Sequence, residues 1–167
     1  MKQLRAARAL ALPDWCIAAG FVRNRVWDHL HGISPPRQPP DVDVLFFDPA
    51  DVSKEREAAY ETRLDQIISG VSWEVRNQAR MHLRKKTVAP HRDTADAMTF
   101  WLETVTAVGV RLEDDDSLTV IAPLGTDDLL GMVCRPTAFG RTRLEEYEER
   151  ISRKRWRELW PMVRFLG

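Results

Sequence analysis

The sequence predicts an α+β fold: a small mixed β-sheet with flanking helices. Two observations carry this. Apolar runs of strand length alternate with stretches of helical periodicity, in the order strand, helix, strand, helix, strand, then helices and a hairpin. The 167 residues are 44% hydrophobic, which excludes disorder and suits one domain over 1–167 with a real core. No repeat, low-complexity tract or domain-sized linker interrupts them.

Residues 2–12 read as a first helix, stopped by Pro13. Trp15-Cys16-Ile17-Ala18-Ala19 is a continuous apolar run closed by Gly20, as in a buried strand. Val22 to Leu30 reads as a helix with Val22, Val26 and Leu30 on its apolar stripe, and Gly32 as its stop. Four prolines between Ile33 and Pro40 mark an irregular connection. A second strand covers 41–47 and ends at Asp48-Pro49.

Ser53 is placed to cap a charged helix running to about Ile68, with Tyr60, Leu64, Ile67 and Ile68 facing inward and Gly70 as its stop. Val71 to Val75 is a third strand, and 78–85 and 94–105 read as helices. Val108-Leu112 and Ser117-Ile121 flank an acidic turn and form a β-hairpin. Asp127 to Cys134 is a short helix. Residues 142–160 form one amphipathic helix, with Leu144, Tyr147, Ile151, Leu159 and Trp160 on its stripe and Trp156 near it.

The formal net charge is zero, which gives no support for broad nucleic-acid or membrane affinity and makes a long nucleic-acid partner an unfavoured expectation. The run Arg84-Lys85-Lys86 suits a solvated face. Cys16 and Cys134 lack metal-type spacing and read as reduced, buried residues. No apolar run approaches the roughly 18 residues of a membrane span. The N-terminal pattern is broken by Arg8, unlike a signal-peptide core, so a cytoplasmic location is expected.

The chemistry concentrates in Asp41-Val42-Asp43-Val44-Leu45-Phe46-Phe47. Residues two apart in a strand project from one face, so both acids point the same way at the start of an apolar strand. Two readings stand. Either a cation offsets their repulsion, and oxygen ligands select a hard ion such as magnesium, or the acids mark a solvent-exposed strand end.

Gly20 lies at a strand-to-helix turn, where free amides attract phosphate, and Arg23 in the first helical turn would add a charge-assisted contact. The alternative is a tight turn beside an exposed arginine. Glu74, within Val71-Ser72-Trp73-Glu74-Val75, either reaches the neighbouring carboxylates or faces outward.

Other polar residues carry less. His29 and His31 diverge by about 200° on one helix, which argues against a shared transition metal. His82 suits a half-buried helix position, and Asp48 a cap before Pro49. Asn77 and Gln78 suit either recognition of a base or acceptor, or satisfaction of loop backbone. Trp73, Trp101, Trp156 and Trp160 read as core, and Asp114-Asp115-Asp116 as a solvated turn.

A strand ending in glycine, a helix, an Asp-x-Asp strand and a later strand with one more acid resembles the DNA polymerase β-like nucleotidyltransferase superfamily. A closer resemblance is to a group of small bacterial nucleotidyltransferase family proteins of unknown substrate. It rests on Ala18 to Asp28, Asp41 to Asp48 and Trp73 to His82, and continues through Glu103-Thr104, Ala107 to Leu112 and Ala122 to Leu129, so that it covers most of the chain.

The resemblance implies a nucleotidyltransferase-like fold and a magnesium-dependent enzyme, with two ions possible, moving an NMP from an NTP to an unknown acceptor hydroxyl. Asp41 and Asp43 would hold magnesium. Glu74 would be the third carboxylate, as metal ligand or base. Gly20 and its turn would face the phosphates. Phe21 stands where that superfamily usually has serine or another small residue, so Arg23 or Asn24 would substitute in nucleotide binding. The interval from Gly20 to Asp41 is also longer than usual, filled by the proline-rich loop. The missing serine favours a second reading, a nucleotide- or partner-binding module that kept the fold and lost turnover. A metal phosphohydrolase, a third reading, would need a further ligand cluster that the sequence lacks.

Overall fold

The computed structural model describes residues 1–84 and 89–167. A five-stranded sheet runs in the order β3-β2-β1-β4-β5. Its strands are β1 (Cys16–Ala18), β2 (Val42–Phe46), β3 (Trp73–Asn77), β4 (Gly109–Leu112) and β5 (Leu118–Ile121). β2 and β3 are parallel, and the remaining pairings are antiparallel. The expected mixed sheet is therefore present, and β4 and β5 form the expected hairpin.

Alternation along the strands sorts the two faces. Ile17, Val42, Val44, Phe46, Trp73, Val75 and Leu112 turn to one face, beneath α1 (Lys2–Arg8) and α3 (Lys54–Ile67). The residues between them, including Asp43 and Glu74, take the face that carries Cys16, Ala18 and Leu45. A separate apolar cluster packs α2 (Gly20–Leu30) against the C-terminal half. It holds Trp27, Val105, Leu129, Tyr147, Ile151, Trp156 and Trp160. A two-stranded parallel pair, β6 (Val133–Cys134) with β7 (Arg164–Phe165), closes this half.

Local chemistry sets the element ends. The Ser53 hydroxyl accepts from Arg56 N at 3.4 Å and starts α3, which stops before Gly70 at φ +75°. α1 ends at Arg8, short of the expected residue 12.

α2 corrects a sequence expectation. Val22, Val26 and Leu30 are only partly buried, whereas Arg23, Asn24, Trp27 and Asp28 are buried. The buried stripe is polar because it faces the cavity described below and the Trp160 indole, whose Nε1 donates to Asp28 at 2.8 Å. In α3, Ile67 is exposed and Glu57 is buried instead, held by Arg80 and by Asn77 N.

Three helical expectations are shortened. α4 (Thr94–Met98) replaces a helix over 94–105, because Glu103 pairs with Pro136 in a β-bridge and Thr104–Thr106 forms a 3-10 turn. α5 (Asp127–Leu130) ends before β6 rather than at Cys134. The helix over 142–160 breaks into α7 (Leu144–Arg153) and α8 (Trp156–Leu159), after a short α6 (Ala138–Arg141). Arg155 takes a left-handed conformation at the break, with φ 53° and ψ 34°. The third strand lies two residues later than expected, and Gln78–Arg84 is a 3-10 helix. The end of the expected helix 78–85, and Lys85 and Lys86 of the basic run, lie outside the described residues. Among the described residues no helix is long and apolar enough to cross a membrane.

Candidate nucleotidyl-transfer site

Strand register builds the site. Asp43 is paired across β1 with Ala18 and across β3 with Glu74. One cross-strand row therefore joins the residue before the glycine turn, the second acid of the Asp-x-Asp motif and the third acid. A cavity of about 460 Å³ opens beside this row and is lined by Asp41, Asp43, Glu74, Gly20, Arg23 and Asn24. All six residues singled out from the sequence thus meet in one place.

The turn into α2 is strained. Ala19 has φ 54° and ψ −120°, a region that suits glycine. Its carbonyl accepts from Val22 N at 3.2 Å and Arg23 N at 2.9 Å, and its own N–H donates to Val108 O at 3.1 Å. This turn sends Phe21 away from the cavity and onto the sheet core. Arg23 and Asn24 stand at the cavity wall in its place, joined by an Arg23 Nη2 to Asn24 Oδ1 hydrogen bond of 2.9 Å.

Arg23 is 5% exposed and its Nε has no hydrogen-bond partner. Burial lowers its pKa to about 10, opposed by the nearby Glu103 carboxylate, so it remains a cation at neutral pH. The guanidinium lies over Trp156 and is stabilised by the face of that ring.

Residues not singled out from the sequence complete the charge pattern. Arg150, Arg153 and Lys154, at the end of α7, line the same cavity with Trp156 and Trp160. Cations are favoured at a helix C-terminus. The break at Arg155, absent from the single helix expected over 142–160, precedes Trp156, whose ring lies under Arg23. The basic spacing Arg150, Arg153, Lys154 was the available signal. Arg150 Nε also lies 2.7 Å from Oε1 of Glu103, a carboxylate that is 1% exposed.

Asp43 records the electrostatic conflict. Burial first, then the charges of Asp41 and Glu74, push its pKa up to about 6, while Arg150 and Lys154 oppose the shift. Glu74 Oε2 is 3.2 Å from Arg76 Nη2, and Arg76 Nη1 is 2.6 Å from Glu61 Oε1. Among the described residues no group of three His, Cys, Asp or Glu side chains is gathered tightly enough to hold a metal ion. The donor set nevertheless fits a hard cation: three carboxylates line one cavity, and Asp41 and Glu74 both act on Asp43.

His29 and His31 do not line this cavity. His31 Nδ1 is 2.7 Å from Trp27 O, and its Nε2 accepts from Met162 N. Asn77 satisfies backbone, donating to Asp48 O at 2.7 Å and Asp51 O at 2.9 Å. Cys16 and Cys134 are free and buried.

The comparisons agree with this geometry. Residues 5–165 match the nucleotidyltransferase family. An NMR structure that reveals a CCA-adding enzyme head domain is 36% identical, with a TM-score of 0.85, covering 99% of this chain and 87% of that one. A structure of tRNA-processing enzyme complex 3 is 18% identical with a TM-score of 0.51, covering 81% of this chain and 35% of that one, a likeness of fold alone. No curated protein matches the chain. The family match, the sheet order and the carboxylate row together identify this chain as a member of the nucleotidyltransferase family.

Proposed function

We propose that this chain transfers an NMP from an NTP to an acceptor hydroxyl, with Asp41 and Asp43 as the carboxylates that hold magnesium and Glu74 as the third carboxylate, acting as base. The observation that carries the reading is the division of charge in one cavity: Asp41, Asp43 and Glu74 on the sheet, and Arg23, Arg153 and Lys154 from two helices. A nucleoside triphosphate with its cation needs both halves. Bound magnesium would offset the charge developing at the α-phosphate and on the pyrophosphate leaving group.

The protein's own groups do the rest. Arg23, Arg153 and Lys154 bind the triphosphate chain, and Asn24 holds Arg23 in place. The backbone turn after Ala19 approaches the phosphates without the usual serine. Glu74 accepts the proton of the acceptor hydroxyl. Asp43, pressed toward protonation by its neighbours, is relieved when a cation enters.

Two acceptor classes follow from separate observations. The 36% identity to a protein with a CCA-adding enzyme head domain supports an RNA end. The zero net charge supports a small molecule. The test is incubation with magnesium and each α-labelled NTP, alongside an Asp41→Asn/Asp43→Asn variant. The expected result is labelled acceptor and released pyrophosphate from wild type alone. Equal NTP binding by both proteins, with no pyrophosphate from either across a broad acceptor panel, would support the binding-module reading instead.

A further inference from the structure

A second cavity, of about 370 Å³, shares Ala19, Asp43, Glu74 and Arg150 with the first. The two diverge along β2. Asp41 lines only the cationic cavity, Asp43 lines both, and Leu45 lines only the second. The carboxylate row therefore separates a chamber suited to phosphates from a chamber of different character. In-line displacement at phosphorus needs such a division, with the nucleophile arriving opposite the leaving group.

The second chamber is walled by Leu45, Met81, Trp101 and Leu102, with Gln78 and Thr106 as neutral polar groups. Its volume falls in the range of small-ligand sites, about 300–1,000 Å³. Its described cations are already engaged. Arg76 pairs with Glu61 and Glu74, and Arg150 with Glu103. A polynucleotide end brings phosphates that require uncommitted cations. An apolar body carrying a hydroxyl does not.

We infer that this chamber is the acceptor site, and that the acceptor is a small hydroxylated molecule with an apolar body and no phosphate. The inference rests on the nucleotidyl-transfer reading. The acceptor oxygen bonds to the α-phosphorus. The bond from that phosphorus to the oxygen bridging to the β-phosphate breaks. Pyrophosphate leaves into the cationic cavity, and the hydroxyl proton passes to Glu74.

The test loads the full chain with magnesium and a non-hydrolysable NTP analogue, then measures binding of aryl glycosides, aromatic alcohols and alicyclic alcohols by saturation-transfer NMR. A short single-stranded RNA with a free 3′ hydroxyl is the competing probe. At least one small compound should bind, and Trp101→Ala and Met81→Trp should each weaken it about tenfold or more. Both variants should keep wild-type affinity for the NTP analogue, which also shows that they are folded. Lys154→Ala should do the reverse, weakening the NTP analogue alone. If no small compound binds, if both cavity variants leave its binding unchanged, or if only the RNA is bound and labelled, the acceptor inference is overturned and the transfer reading stands. If the NTP itself does not bind with magnesium, the reading beneath it fails as well.

Discussion

The Arg23 guanidinium carbon lies 4.1 Å from the centre of the Trp156 ring, joining the first turn of α2 to the first residue of α8. A buried cation is held here by an aromatic face, an adjacent amide and the charge of the Glu103 carboxylate. Such a cation keeps its charge available to an anionic ligand.

That relationship predicts an affinity effect. Trp156→Leu keeps apolar packing and removes the ring face, which is worth about 0.5–2 kcal/mol to a buried cation. NTP affinity measured by calorimetry with magnesium should fall about 2- to 30-fold, which is the same energy expressed as a ratio. Unchanged affinity would remove Arg23 from the triphosphate site.

Glu103 should matter to stability. It is buried, accepts from Thr106 Oγ1 at 3.0 Å and pairs with the partly exposed Arg150. Glu103→Gln leaves that arginine without its charge partner. Urea denaturation should show a loss of about 1–3 kcal/mol, reduced from the fully buried case by the exposure of Arg150.

Ala19 tests the backbone strain at the turn into α2. Its backbone strain is of a kind glycine relieves. Ala19→Gly should change stability by less than about 1 kcal/mol in either direction, because relief of strain offsets the added freedom of the unfolded chain. Ala19→Val should cost more than about 1 kcal/mol at the same position, since a β-branched residue tolerates positive φ poorly. Equal melting temperatures for the two variants would contradict the strain argument.

Asp43 sets a pH dependence for the metal-free protein. Its folded-state pKa of about 6 lies above the ordinary 3.8, so between those values the folded state holds a proton that the unfolded state has released. Asp43's contribution to stability should therefore fall as pH rises from about 4 to 6, by about 2–3 kcal/mol, and level off above; it is read as the difference between wild type and Asp43→Asn. Asp43→Asn should lack this contribution and be more stable than wild type at neutral pH in chelator. Added magnesium should raise the melting temperature of wild type and not of the variant.

Much of the site was legible because β-strand chemistry is local. The two-residue alternation of Asp41 and Asp43 in an apolar run placed both acids on one face, and Gly20 closed a strand of unmistakable composition. The α2 stripe was misread because Val22, Val26 and Leu30 matched an apolar period while the polar face was the buried one. Periodicity counts apolar residues and is blind to a polar stripe buried against a site and a tryptophan. The break at Arg155 was invisible for a related reason: no proline or glycine marks it, and tertiary packing of Trp156 and Trp160 holds the left-handed residue. Arg150, Arg153 and Lys154 reach the cavity from the end of α7; their clustering is visible in the sequence, but the cavity that they face is not.

The most direct test of the account is single-turnover transfer from an α-labelled NTP, with magnesium, by wild type and Asp43→Asn under matched NTP occupancy. Asp43 sits between Ala18 and Glu74 in one cross-strand row and has no substitute there. The account predicts labelled product and pyrophosphate from wild type, and a loss of about a thousandfold or more in the variant, the scale of removing a main electrostatic contributor to a transition state. Transfer by the variant at a rate near that of wild type would contradict it.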